Sequence, residues 1–190
     1  MAKKSSRPAP ARVPAKISEQ PLEAKTLQSL ADCADDALQI LGLATGKGGK
    51  KSKAALTPHD ALTAHDIVKA VDQCVYDLQQ GQGPKFGAAD EPDLVLGSLW
   101  GQQLVREFSW QWAAVTFHEH DDAKAVGVFS PDRALAIYPF HFIYGCLENG
   151  AEVTIMLAFN LLVDGSKVPP LAPGTYENVM DNVHYIVPRG

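Results

Sequence analysis

The chain reads as an α+β protein, with N-terminal helices packed on a small three-stranded antiparallel meander and further helices after it. Three observations predict this class. Apolar residues recur at spacings of three and four up to Phe108 and switch to alternation from Trp110, the change from a helical to a strand period. Ten of the fifteen aromatic residues lie between Trp100 and Tyr144, and such side chains dominate cores. Turn-forming residues divide the middle of the chain into segments of strand length.

Residues 1–18 are rich in Pro, Ala, Lys and Arg. They offer too little apolar surface to offset chain entropy and read as a disordered basic tail, leaving 19–190 as one domain. From Pro21 to about Ala44, Leu27, Leu30, Ala34, Leu38 and Leu41 form one helical stripe. Glycines and lysines from Gly46 to Lys53 end it, and 46–56 reads as a flexible basic loop. A second helix is expected to open at Thr57-Pro58-His59-Asp60, with Thr57 as cap and Pro58 at the first helical position. Its stripe is Ala64, Ile67, Val68, Val71, Cys74, Val75 and Leu78, and Gly81 stops it. Each helix has one face to bury, which predicts a helical hairpin over 19–81.

After a Gly/Pro-rich linker, a third helix is predicted from about Pro92 to Phe108. Gly97 and Gly101 lie four apart on it, so a neighbouring element can approach its backbone closely. Alternation then puts Trp110, Trp112, Ala114, Thr116, His118 and His120 on one strand face, with Gln111, Ala113, Val115, Phe117 and Glu119 on the other. A turn at Asp121–Lys124, a strand at Ala125–Phe129, a type I turn at Ser130-Pro131-Asp132-Arg133 and a strand at Ala134–Tyr138 complete the meander. Helices are expected over His141–Asn149, closed by Gly150, and Glu152–Val163, closed by Gly165. A proline-rich loop leads to a short terminal segment, Tyr176–Val187.

The net charge of −5 is unevenly placed. Residues 1–18 carry +5 and 46–56 carry +4, which leaves eight basic against 22 acidic residues, or −14, for the rest. An acidic body does not suit a nucleic-acid-binding core, which needs several cations on one face. Weak nucleic-acid contact through the basic tail is the exception. The charge suits a basic protein partner instead. Three widely spaced cysteines, Cys33, Cys74 and Cys146, form no C-x-x-C pair. Reduced thiols fit a cytoplasmic location. No apolar run approaches the ~18 residues that would cross a bilayer, so no membrane partner is expected.

Thr45–Ser52 looks superficially like a phosphate-binding loop, but Lys51 stands where Ser or Thr is required and no strand precedes it. No G-x-S-x-G elbow occurs. The chemically richest stretch is His118-Glu119-His120-Asp121-Asp122. Two histidines two apart on a strand share a face, and Asp122 or His141 completes a potential metal site. Trp110 and Trp112, with Glu119, Asp121 and Asp122, form a candidate protein interface if the tryptophan face is open, since tryptophan is favoured at hot spots. Burial of both tryptophans under helices is the competing reading.

The pattern Leu96-Gly97-Ser98-Leu99-Trp100-Gly101, then Leu104, Trp110-Gln111-Trp112 and Tyr138-Pro139-Phe140-His141-Phe142-Ile143 resembles a group of small bacterial domains of unknown function. These share an L-G-x-x-x-G helix, a W-x-W strand and a P-F-x-x-I helix start. The resemblance covers about residues 94–150 and implies an immunity-type or accessory protein, with no catalytic residues to carry over.

Together these features predict a non-enzymatic, cytoplasmic protein-binding protein that needs no cofactor. Its specific form would be an immunity protein neutralising a basic toxin. The alternative is a small metal-binding protein or metal-dependent enzyme built on His118, His120, Asp122 and His141.

Overall fold

The switch in period after Phe108 is where a layer of helices gives way to a sheet. The computed structural model describes residues 16–44, 62–87, 90–166, 168 and 170–186. In chain order the elements are β1 (Ile17–Pro21), α1 (Ala24–Ile40), α2 (Ala64–Gln79), α3 (Pro92–Phe108), β2 (Gln111–Phe117), β3 (Ala123–Phe129), β4 (Leu135–Ile137), α4 (Pro139–Asn149), α5 (Ile155–Asp164), β5 (Glu177–Asn178) and α6 (Val179–Ile186). The class is α+β, as expected.

The sheet has five strands, not three, in the order β1-β2-β3-β4-β5. The first three pairings are antiparallel and β4–β5 is parallel. The predicted meander is its middle. β1 escaped notice because Ile17-Ser18-Glu19-Gln20-Pro21 lacks alternation and ends in proline. Proline is tolerated there because β1 is an edge strand. Ile17 and Ser18, assigned to the tail, instead pair with Phe117 and Thr116. β5 is two residues long, too short for any periodic signal.

The helices follow the expected stripes, except that Leu27 of α1 is exposed, and with one change of partner. α1 buries Leu30, Ala34, Ala37 and Leu38, chiefly against α3, while α2 packs on α3, α4 and α5. The expected α1–α2 hairpin does not form, because α3 is apolar around much of its circumference and takes a face of each: nine of its residues from Val95 to Leu104 are buried. α2 starts at Ala64 under a capping box. Thr63 Oγ1 accepts from the Asp66 N–H at 3.1 Å, and the Asp66 carboxylate accepts from the Thr63 N–H at 3.2 Å. The start expected at Thr57, the loop 46–56 and residues 1–15 of the tail lie outside the described residues. α5 is capped from outside its own sequence, where Asp72 on α2 accepts the Met156 N–H at 2.9 Å. Burial outweighs these hydrogen bonds and raises the Asp72 carboxyl above its usual range.

Two cores sit on the two faces of the sheet. The larger fills the space between the helices and the face carrying Trp112, Val128 and Ile137. The smaller lies on the opposite face and consists of Ala113, Val115, Phe129 and Ala136, flanked by Ile17, Phe117, Ala125, Tyr138 and Tyr176. The close approaches expected at α3 occur. A Cβ on Gly97 would meet the Phe140 ring at 2.6 Å, and one on Gly101 would collide with the Trp112 indole.

Candidate functional site

β4 is the element that makes the site. It runs for three residues beside a seven-residue β3 and ends where Pro139 opens α4. Proline suits the first turn of a helix and cannot donate to a strand ladder. β4 therefore pairs only with Val128 and Phe129, and β3 from Ala123 to Val126 has no strand neighbour on that side among the described residues. A cleft of about 930 Å³ opens along this edge. α4 forms one wall with Phe140, His141 and Tyr144, and the segment Thr175–Asn178 with Asp181 forms the other. Ile17, Phe117, Tyr138 and His120 close the end nearest β1.

The walls are aromatic and the charge is mostly negative. Tyr144 is 52 % exposed, one of the few large apolar side chains left so open. Asp93, Glu177 and Asp181 line the cleft against one ammonium, Lys124. Burial pushes the Tyr138 phenol well above its ordinary value, and its hydroxyl is buried without a hydrogen-bond partner. Burial thus favours the protonated phenol.

The sequence-predicted residues are distributed differently from expectation. Trp110 is 5 % exposed. Trp112 lies under Gly101 and stacks on Phe140 with centroids 5.5 Å apart. Neither is an open platform, so the tryptophan part of the predicted interface is corrected: the face is covered by α3 and α4. Glu119, Asp121 and Asp122 are exposed, but in a turn and outside the cleft lining.

His118 and His120 do not share a strand face either. β2 ends at Phe117, and the chain reverses through Asp121 and Asp122, both in the left-handed region at φ 52° and 55°. His120 and His141 reach the cleft, while His118 turns away from it. Its Nδ1 meets Asp122 Oδ1 at 2.6 Å and its Nε2 meets Ser18 Oγ at 3.0 Å. Both ring nitrogens are thus engaged. Among the described residues no three His, Cys, Asp or Glu side chains converge as metal ligands would, so the structure does not bring His118, His120, Asp122 and His141 together. Cys74 and Cys146 are buried free thiols, each pushed up to about 11 by burial. Both sit in the larger core, where a protonated thiol packs as a small apolar residue.

Sequence reasoning missed Tyr144, Tyr176, Asp93, Asp181 and the edge of β3 that has no strand neighbour among the described residues. The available signal was Pro139, which cuts β4 short. No known protein family, curated protein or solved structure matches this chain.

Proposed function

We propose that this chain is a non-enzymatic protein-binding protein of the bacterial cytoplasm that holds a basic partner. In the more specific form of this reading it is an immunity protein that neutralises a cognate toxin by covering its active site. The observation that carries the reading is the cleft itself, open, aromatic-walled and predominantly acidic, on a body of net charge −14 outside 1–18 and 46–56. Opposite charge steers association and disfavours wrong partners. An exposed tyrosine beside acidic groups suits a hot spot more than a solvated surface. The test is affinity capture with the full chain from native lysate, comparing wild type with Tyr144→Ala. The expected result is a stoichiometric basic partner whose recovery falls at least tenfold in the variant. Capture of none sinks the reading.

A second reading has an observation of its own. With Nδ1–H donating to Asp122, the Nε2 of His118 accepts the Ser18 hydroxyl, which is the connectivity of a nucleophile, base and orienting carboxylate. All three residues are exposed and none lines the described cleft. A relay of this kind needs exclusion of water and preorganised oxyanion donors to be effective. Labelling by a fluorophosphonate separates the two readings. Modification of Ser18 that disappears in His118→Ala supports a hydrolase, and an unlabelled chain supports the binding protein.

A further inference from the structure

We propose that the cleft receives an extended, basic segment of a partner protein as an added strand on β3. The inference rests on the protein-binding reading and specifies how the partner is held.

The backbone geometry fixes which groups are on offer. The Ser130 N–H donates to Leu135 O at 3.0 Å, toward β4. Antiparallel backbone groups alternate in direction along a strand, so Val128, Val126 and Lys124 also point their N–H and C=O that way. The other ladder agrees. The His118 N–H donates to Lys16 O at 3.0 Å, so even-numbered residues of β2 face β1 and odd-numbered ones face β3. The β2–β3 register pairs Val115 with Ala125 and Phe117 with Ala123. Those pairs are the ones that exchange hydrogen bonds, leaving Val126 and Lys124 turned outward. Both line the cleft. An exposed strand edge is a ready template for another chain, and proteins usually blunt it. Here, among the described residues, the lane that β4 leaves at Pro139 continues as the cleft.

The rest of the cleft fits such an occupant. An added strand sends alternate side chains to the two sides of the sheet. On the helix side it meets Phe140 and Tyr144, and on the other side Phe117 and Tyr176. Asp93 and Asp181 set the sign of the charge, and complementarity selects a cationic segment.

The probe is a capped hexapeptide of alternating valine and lysine, set against its valine–glutamate counterpart and a version methylated at every backbone nitrogen. All are titrated into the full chain and followed by amide NMR. The expected result is a shift of the Lys124 and Val126 amide signals and binding at least tenfold weaker for both control peptides. Equal binding of the methylated peptide, or shifts confined to other residues, overturns the proposal. Val126→Pro removes one outward N–H without touching the β2 ladder, and should abolish peptide binding at unchanged Tm. Lys124→Pro does the same if the first variant does not fold. Sedimentation showing a dimer whose Lys124 and Val126 amides resist exchange assigns the edge to a second copy and overturns the proposal. So does the same protection in a peptide-free monomer, which assigns it to this chain. If a basic partner captured from lysate is retained by Val126→Pro, strand addition fails and the protein-binding reading stands. If wild type captures none, the underlying reading fails.

Discussion

The two faces of the sheet are closed by different means. Toward the helices, Trp112, Val128 and Ile137 meet a continuous apolar layer, and fit is achieved by removing side chains: Gly97 and Gly101 let Phe140 and Trp112 lie against the α3 backbone. On the other face four buried residues have no helix packed on them among the described residues. Their edge is bound by a polar clasp. Arg133, in the β3–β4 turn, donates to both carboxylate oxygens of Glu19 on β1 at 2.8 and 2.7 Å, and Tyr176 donates to the same carboxylate at 2.9 Å. A face with enough apolar surface is closed by shape. One without it is closed by charge-assisted hydrogen bonds between distant segments.

The comparison can be broken from either side. Phe129 is fully buried on the outer face between Tyr138 and Tyr176, and Phe129→Ala should cost about 4 kcal/mol by leaving a cavity, read by urea denaturation. On the helix side Gly101→Val drives a branched side chain into the Trp112 indole and should cost about 3 kcal/mol by overpacking, visible as a drop in Tm and a change in tryptophan fluorescence. Arg133→Ala should cost about 1.5 kcal/mol, since it leaves a partly buried carboxylate with only the Tyr176 hydroxyl as partner. A double-mutant cycle with Glu19→Ala measures the coupling.

The clasp also gives an acid dependence with a definite sign. The Arg133 guanidinium, through its hydrogen bonds, holds the Glu19 carboxyl below its usual range. Folded protein therefore binds that proton less tightly than unfolded chain. The contribution is present above the ordinary carboxylate pKa and is lost as pH falls through the lower folded value. Arg133→Ala should flatten that part of the stability–pH curve. Asp72 has the opposite sign, because its carboxyl is raised. Asp72→Ala removes the cap of α5 and should cost about 1 kcal/mol. Asp72→Asn keeps an acceptor with no charge to desolvate and should cost less. His118→Ala, on an exposed turn, should change stability by no more than about 0.5 kcal/mol.

The same division governs what could be read from the amino acids. α3 was legible to its ends, since Pro92, the apolar stripe and the two glycines are local signals. So were the stops at Gly81, Gly150 and Gly165, all at positive φ, and the turn at Ser130–Arg133, closed by the Arg133 N–H to Ser130 O at 2.9 Å. The clasp was not legible, because Glu19 meets Arg133 across 114 positions and Tyr176 across 157, and nothing local marks either pairing. The cleft was half legible. His120 and His141 were singled out for metal chemistry and do reach it. Its defining feature, the mismatch between β3 and β4, depends on where strands end, and strand ends are set by tertiary pairing more than by local pattern. His118 misled because two-residue spacing implies a shared face only while the strand continues.

The order of strands across the sheet has a kinetic consequence. β1 comes first in the chain and β5 nearly last, yet they form the two outer edges of one sheet. During synthesis α1 to α3 and the β2–β3 hairpin can assemble as soon as they emerge, while α6 follows Tyr176. The Tyr176–Glu19 bond must wait for almost everything between them, and closing so long a loop is entropically slow. The outer face is thus sealed late, together with the α6 end of the larger core, and for that interval its few apolar residues are open to whatever else is nearby.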